Sequence, residues 1–177
     1  MIQLKGGLKI AYREYGPADG KPIIVCHNGY GCRLMVPEGY EEILQRTNKR
    51  LIIPDRSGTG MTDFVKGHPE TWNSQFGEFI DALELPEYEV LGAVMGSVFA
   101  LLHAIEADER LTRVHLASPV FVNTRKDMDH LIGIFAPSVR LVRASKRFAR
   151  EIYELWLKSV TMNLSTHYRA MLEKSLG

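Results

Sequence analysis

Residues 90–97 read Val-Leu-Gly-Ala-Val-Met-Gly-Ser, and this stretch decides the fold of the chain. A short apolar run leads into it, and apolar residues at helical spacing come after it. A strand, a sharp glycine-bounded turn and a helix are the setting of the Gly-x-Ser-x-Gly nucleophile elbow. Gly92 and Gly96 stand at the right spacing, but the central position is Val94, which has no nucleophilic atom. The sequence therefore predicts the turn of a hydrolytic site without its reactive group.

Composition restricts the function classes. The chain has 177 residues with 45% hydrophobic and 24% charged residues, which is typical of a globular domain with a substantial core. A net charge of +1 gives no support for a nucleic-acid partner. No apolar run approaches the roughly 20 residues of a membrane span, and the N-terminus lacks a signal-peptide pattern. Two cysteines, Cys26 and Cys32, are too few for a disulfide scaffold, so we expect a cytoplasmic protein without a membrane partner.

Apolar patterns alternate between strand-like and helix-like segments along the first two thirds of the chain. Strands are predicted at residues 2–4, 8–15, 22–26, 51–53, 88–91 and 114–117, and helices at 41–45, 71–85 and 97–107. The first two strands should form an antiparallel hairpin around Gly6 and Gly7. The remaining alternation predicts a mostly parallel sheet with helices on both faces. Three glycine-rich stretches, residues 28–31, 57–60 and 92–96, fall at the carboxyl ends of strands, where such sheets bind ligands.

Four of these segments, taken in register, resemble the α/β-hydrolase fold superfamily, in particular its esterase, haloalkane-dehalogenase and epoxide-hydrolase-like group. They are residues 12–16, 26–31, 54–62 and 92–96. The resemblance implies a partial α/β-hydrolase core over residues 1–120 and a helical cap-like segment over residues 121–177. In that family two further strands come after the cap and carry the acid and the histidine of a catalytic triad. This chain ends before them, so these C-terminal strands are expected to be missing.

The same resemblance implies a site beside the elbow. Gly29 and Met95 would donate the two N–H groups of an oxyanion hole, and His27, Asn28, Tyr30 and Val94 would line the pocket. Two departures stand out. The loop reads His-Asn-Gly-Tyr-Gly where the family usually has His-Gly-x-Pro-Gly, and an alanine replaces the usual polar residue before the nucleophile position. No catalytic residue is assigned; Val94 is only the nucleophile-equivalent position.

Other reactive residue types are better explained by structural roles. His27 is expected to shape its loop, Cys26 to fill the core and Cys32 to be an unreactive free thiol. Ser97 is expected to make a hydrogen bond at the helix end, and Asp55 to form a turn.

The acidic and histidine residues elsewhere show no catalytic or metal pattern. Asp127, Asp129 and His130 fit the start of a surface helix, and the basic segment 140–150 fits a solvated helix face. The remaining histidines lack metal-ligand spacing; they are His68, His103, His115 and His167. Neither a metal nor a cofactor is therefore expected.

Three functions remain open. The first is a catalytically silent hydrolase relative that binds a small apolar or acyl ligand under the cap. The second is an incomplete or altered form of a genuine hydrolase acting on esters or related substrates. The third is a non-catalytic interaction domain. In each case the strand at residues 114–117 is expected to be a sheet edge, which predicts a homo-oligomer or a partner that supplies the missing strands.

Overall fold

A computed structural model describes residues 1–29, 31–66 and 71–119, together with Ser145, Arg147 and Glu151. The chain divides into two units, Met1–Phe121 and Val122–Gly177, and nearly all of the described residues belong to the first. Several predictions lie outside the described residues: the helical cap-like segment, the pocket role of Tyr30, and the roles of His68, Asp127, Asp129, His130 and His167.

Seven strands and three helices occupy the described part of the first unit. In chain order they are β1 (Ile2–Gln3), β2 (Lys9–Ile10), β3 (Tyr12–Tyr15), β4 (Lys21–Cys26), α1 (Tyr40–Thr47), β5 (Lys49–Pro54), α2 (Trp72–Ala82), β6 (Tyr88–Ala93), α3 (Gly96–Ile105) and β7 (Leu111–Ala117). Each predicted segment thus contains an element of the predicted type. None of the helices in these described segments is long and apolar enough to cross a membrane.

The main sheet has the strand order β3-β5-β4-β6-β7. Only β3 runs antiparallel to its neighbour; the pairs β4–β5, β4–β6 and β6–β7 are parallel. The mostly parallel α/β sheet is therefore confirmed. Because β5, β4 and β6 are adjacent and parallel, the loops at their carboxyl ends emerge at the same edge of the sheet. Among the described strands, β7 lies at the opposite edge from β3 and pairs with β6 alone.

The predicted N-terminal hairpin is only partly right. β1 and β2 do pair antiparallel, but β3 pairs with β5 instead of continuing the hairpin. The break falls at Ala11, whose N–H donates to Thr62 Oγ1 (2.9 Å) and whose carbonyl accepts from the Asp55 N–H (2.8 Å). These bonds tie the chain to the loop after β5, and an uninterrupted alternation of residue types does not reveal such a tertiary contact.

The core lies where α2 and α3 meet the central strands. Ile24, Ile52 and Val90 of the three central strands are fully buried. Four side chains of α2 are buried as well: Trp72, Phe76, Phe79 and Ile80. The Trp72 ring stacks on Phe76 and meets the Phe99 ring of α3 edge-on. Burying such side chains contributes roughly 1.5–3 kcal/mol each, so this cluster fixes both helices against the sheet.

Candidate functional site at the β6–α3 elbow

The turn between β6 and α3 keeps the strained elbow geometry. Val94 has a φ of 52°, which is a genuine outlier for a β-branched residue. Two backbone hydrogen bonds hold it there: its N–H donates to Ala117 O at the end of β7 (2.9 Å), and its carbonyl accepts from the Ser97 N–H (3.1 Å). The prediction that the turn persists without a nucleophile is confirmed.

Two glycines permit this turn because no side chain fits at either position. A Cβ at Gly96 would lie 1.8 Å from the Cys26 carbonyl oxygen, and a Cβ at Gly92 would lie 2.5 Å from Ser97 Cα. Real Cβ atoms essentially never come this close to another heavy atom. The first turn of α3 therefore lies directly on the backbone at the end of β4, as the glycine spacing indicated.

The two N–H groups expected to form an oxyanion hole belong to Met95, in this turn, and to Gly29, in the loop after β4, and these two residues lie close together. A Cβ at Gly29 would lie 3.8 Å from Met95 Cγ. The Val94 carbonyl accepts from Ser97 along α3, so the Met95 N–H of the same trans peptide points the other way, out of the helix start. Within the described part of the chain, neither of these N–H groups donates to a backbone carbonyl outside a helix or strand.

His27 supports the loop that carries Gly29. Its side chain is 5% exposed, and its Nδ1 lies 2.9 Å from the Asn28 carbonyl oxygen. A carbonyl only accepts, so Nδ1 carries the proton and Nε2 is a bare acceptor. Burial lowers the pKa of His27, which keeps the ring neutral. This geometry agrees with the loop-shaping interpretation, while a direct contact with ligand stays a prediction.

Arg56 is a residue of this site that the sequence interpretation missed. It is 6% exposed, and its Nη2 donates to the same Asn28 carbonyl at 2.6 Å. The guanidinium carbon lies 4.8 Å from the centre of the Phe99 ring, at cation–π distance. Burial lowers the pKa of Arg56, although an arginine remains charged at neutral pH. The sequence feature that could have indicated Arg56 is the charged pair Asp55-Arg56, which comes shortly after the fully apolar segment 51–53.

Asp55, the other member of that pair, has a structural role. It is fully buried, and its carboxylate accepts from the Arg33 N–H (2.6 Å), the Arg33 guanidinium and the Met61 N–H (3.3 Å). These bonds use the carboxylate to join two loops at the ligand edge of the sheet. Its structural role is thus to link loops, with Arg33 as a partner that the sequence did not indicate, while the turn-forming interpretation stays a prediction.

The hydroxyl and thiol groups nearest the elbow are not poised to attack a substrate. Ser97 is fully buried, and its Oγ donates to the Gly92 carbonyl (3.1 Å). Cys26 is 1% exposed, and burial raises the pKa of its thiol to about 12, so thiolate is scarce at neutral pH. Cys32 is a partly exposed free thiol in the loop beyond Gly31.

The histidines of α3 and β7 make protein contacts instead of a metal site. His103 contacts the Tyr88 hydroxyl and His115 contacts the Glu89 carboxylate, each at 2.7 Å. Across residues 1–29, 31–66 and 71–119, no group of three His, Cys, Asp or Glu side chains is placed to hold a metal ion.

Comparisons with known proteins place this geometry among hydrolases, although no family model matches the chain. The 2-hydroxy-6-oxo-2,4-heptadienoate hydrolase of Pseudomonas putida is 27% identical over 125 residues, 68% of this chain. A proline iminopeptidase of Lactobacillus helveticus is 27% identical over 103 residues, 55% of this chain. The solved structure of an esterase (EaEST) from Exiguobacterium antarcticum matches with a TM-score of 0.64 and 25% identity over 78% of this chain.

The chain spans about half the length of these proteins or less. The matched regions cover 44% of the heptadienoate hydrolase, 35% of the iminopeptidase and 55% of the esterase. The similarity thus extends over only part of each of these proteins.

Proposed function

Since this chain belongs to the α/β-hydrolase fold superfamily, we propose that it binds a small acyl or other apolar carbonyl compound at the elbow without hydrolysing it. One observation carries the proposal. The backbone at Val94 keeps the positive φ of an elbow, 52°, yet the side chain presented there has no atom that can attack. The binding geometry is retained at a cost of about 1–3 kcal/mol in backbone strain while the nucleophile is absent.

The groups around Val94 suit such a ligand. The N–H groups of Gly29 and Met95 would receive the carbonyl or carboxylate oxygen, because preorganised backbone donors bind a developing or full negative charge well. The apolar part of the ligand would lie on the exposed side chains beside them; Val94, Met95 and Val98 are 37%, 48% and 37% exposed. The oxygen of an acyl compound would thus meet hydrogen-bond donors, and its apolar part would meet apolar side chains.

A genuine hydrolase in incomplete or altered form is the second candidate. The proteins that this chain resembles include a hydrolase, a peptidase and an esterase. Activity would need an attacking group other than residue 94 and a base to activate it. The bonds made by Ser97 and the burial of Cys26 argue against either supplying that group.

A non-catalytic interaction domain is a third possibility, suggested by the unpaired side of β7 among the described strands. A second copy of the chain, or a partner that adds strands to this edge, would satisfy its backbone groups.

Two free thiols, Cys26 and Cys32, suit the reducing cytoplasmic setting expected for the protein.

The first test separates binding from hydrolysis. We expect butyrate, a short acyl carboxylate, to shift the amide resonances of Gly29 and Met95 in the full 177-residue chain. We expect p-nitrophenyl butyrate turnover no higher than that of a matched Cys26→Ala, Cys32→Ala variant.

The variant Val94→Ser tests whether the nucleophile alone is missing. We expect no rapid acyl adduct at the new serine by mass spectrometry, because a serine needs a nearby base at neutral pH. Turnover above the cysteine-free control, or such an adduct, would favour the hydrolase instead.

A further inference from the structure

On the basis of the proposed function, we propose that Arg56 and His27 are positioning residues that aim the Gly29 N–H into the site by holding the Asn28 carbonyl. Neither residue needs to touch the ligand in this arrangement. Both act through the one peptide group that joins Asn28 to Gly29.

Three donors converge on the Asn28 carbonyl oxygen. They are Arg56 Nη2 at 2.6 Å, His27 Nδ1 at 2.9 Å and the Gly31 N–H at 3.2 Å. The Gly31 bond only closes the local turn, whereas the two side chains reach the oxygen from different strands: His27 comes directly after β4, and Arg56 lies two residues beyond β5. The carbonyl is therefore held on the protein side of the loop.

The direction of this carbonyl determines the direction of the Gly29 N–H. A peptide bond is planar and trans, so its C=O and N–H point in opposite directions. With the Asn28 oxygen held toward Arg56 and His27, the Gly29 N–H points away from them. Rotation of this one peptide would instead place a carbonyl oxygen where the ligand oxygen is expected, and the two oxygens would repel each other.

Arg56 is itself fixed well enough to act in this way. Its guanidinium lies 4.8 Å from the Phe99 ring of α3, and the residue is only 6% exposed. Arg33 offers a contrast, because it forms an ion pair with Asp55 and joins two loops. Arg56 instead directs a buried, charged donor at a backbone carbonyl, and a charge-assisted hydrogen bond is stronger than a neutral one.

The test compares Arg56→Met with Arg50→Met as the matched control. Arg50 Nη1 also donates to a backbone carbonyl, that of Ala18 (2.9 Å), but far along the chain from the elbow. Crystal structures of the wild-type and variant chains show the orientation of the Asn28–Gly29 peptide, and amide resonances report butyrate binding.

In Arg56→Met we expect a rotated peptide, loss of the butyrate-induced shift at Gly29, and at least about tenfold weaker binding, as for loss of one charge-assisted hydrogen bond. Arg56→Lys should recover part of both effects. Arg50→Met should match the wild type.

The outcomes separate the two proposals. An unrotated peptide in Arg56→Met, with butyrate affinity unchanged, overturns the positioning role and leaves the proposed function standing. A rotated peptide in a protein whose wild type does not bind butyrate supports the positioning role and contradicts the proposed function.

If Arg56→Met does not fold, His27→Phe removes the other side-chain donor and keeps a ring. An unchanged peptide and unchanged affinity in that variant would then overturn the proposal.

Discussion

The two ends of strand β6 differ in backbone strain and in hydrogen bonding. Its carboxyl end leads into the elbow, where Val94 is strained and the N–H groups of Gly29 and Met95 have no backbone acceptor outside helices and strands in the described part of the chain. Its amino end begins at Tyr88, whose hydroxyl lies 2.8 Å from Asp108 Oδ2 and 2.7 Å from His103 Nε2.

The amino end is a chain of hydrogen-bonded polar side chains. Because the Asp108 carboxylate only accepts, the Tyr88 hydroxyl donates a hydrogen bond to it, and His103 Nε2 donates to the Tyr88 oxygen. Arg110 continues the chain with hydrogen bonds to Asp108 and Asp81, each 2.7 Å from its Nη2. Hydrogen bonds from Arg110 hold the pKa of Asp108 well below its usual range, so the network is charged and paired at neutral pH.

The difference shows where this fold places stability and where it leaves groups for a ligand. At the amino end, donors meet acceptors from α3, β6 and the loop before β7, which stabilises the sheet. At the carboxyl end, the same sheet holds strain and backbone donors that stabilise nothing unless a ligand binds. Substitutions at the two ends test this contrast, and the largest effect is expected at the carboxyl end.

Gly96→Ala should disrupt the carboxyl end most severely. The new Cβ would lie 1.8 Å from the Cys26 carbonyl oxygen, and its three nearest neighbours are all backbone atoms of Cys26 and His27, which leaves little room to relax. We expect the free energy of unfolding to fall by about 3 kcal/mol or more, measured by urea denaturation.

The matched control is Gly77→Ala, in the middle of α2, where a Cβ would meet no atom within 4 Å. That variant should gain about 0.5–1 kcal/mol from helix propensity. Equal stability of the two variants would mean that the elbow has room to adapt.

Much of the carboxyl end was predictable from sequence, because its determinants are local. The spacing of Gly92 and Gly96 and the residue at position 94 predict the turn directly, and residues 27–29 mark the neighbouring loop. The three strands in register then bring these segments to one edge of the sheet.

The contacts that complete each end were not predictable in this way. Arg56 reaches the carbonyl of Asn28, 28 residues earlier, and Tyr88 meets Asp108, 20 residues later. Such pairs depend on the packing of separate elements, and no periodicity encodes them. The split of residues 8–15 between two sheets has the same origin, since Ala11 is bound by a loop about 51 residues away.

The amino end should make stability depend on pH through His103. The residue is 2% exposed, its Nδ1 has no hydrogen-bond partner among the described residues, and burial lowers its pKa. A lowered folded-state pKa means that the unfolded chain binds the extra proton first. Stability is therefore full above the ordinary histidine pKa of about 6.5 and is lost as the pH falls below it.

Urea denaturation of the wild type and of His103→Gln between pH 8 and pH 5 measures this effect. We expect stability of the variant to depend on pH less steeply, with a remaining slope from His27, whose pKa is also lowered. Nearby Asp108, whose pKa is lowered, and Arg110, whose pKa is raised, keep their charges over this range. Identical slopes for the two proteins would show that the amino end is insensitive to His103 protonation.

The smallest expected effect is a gain in stability at the strained residue itself. Asparagine adopts positive φ more readily than valine, so Val94→Asn should relieve strain and raise the free energy of unfolding by about 1 kcal/mol. For a chain of this size that is a rise in Tm of about 2–4 °C, measurable by calorimetry. Val98→Asn is the control, because Val98 is equally exposed at 37% but lies within α3, where asparagine should cost a few tenths of a kcal/mol. A rise in the control, or none at Val94, would mean that the positive φ of Val94 does not destabilise the fold.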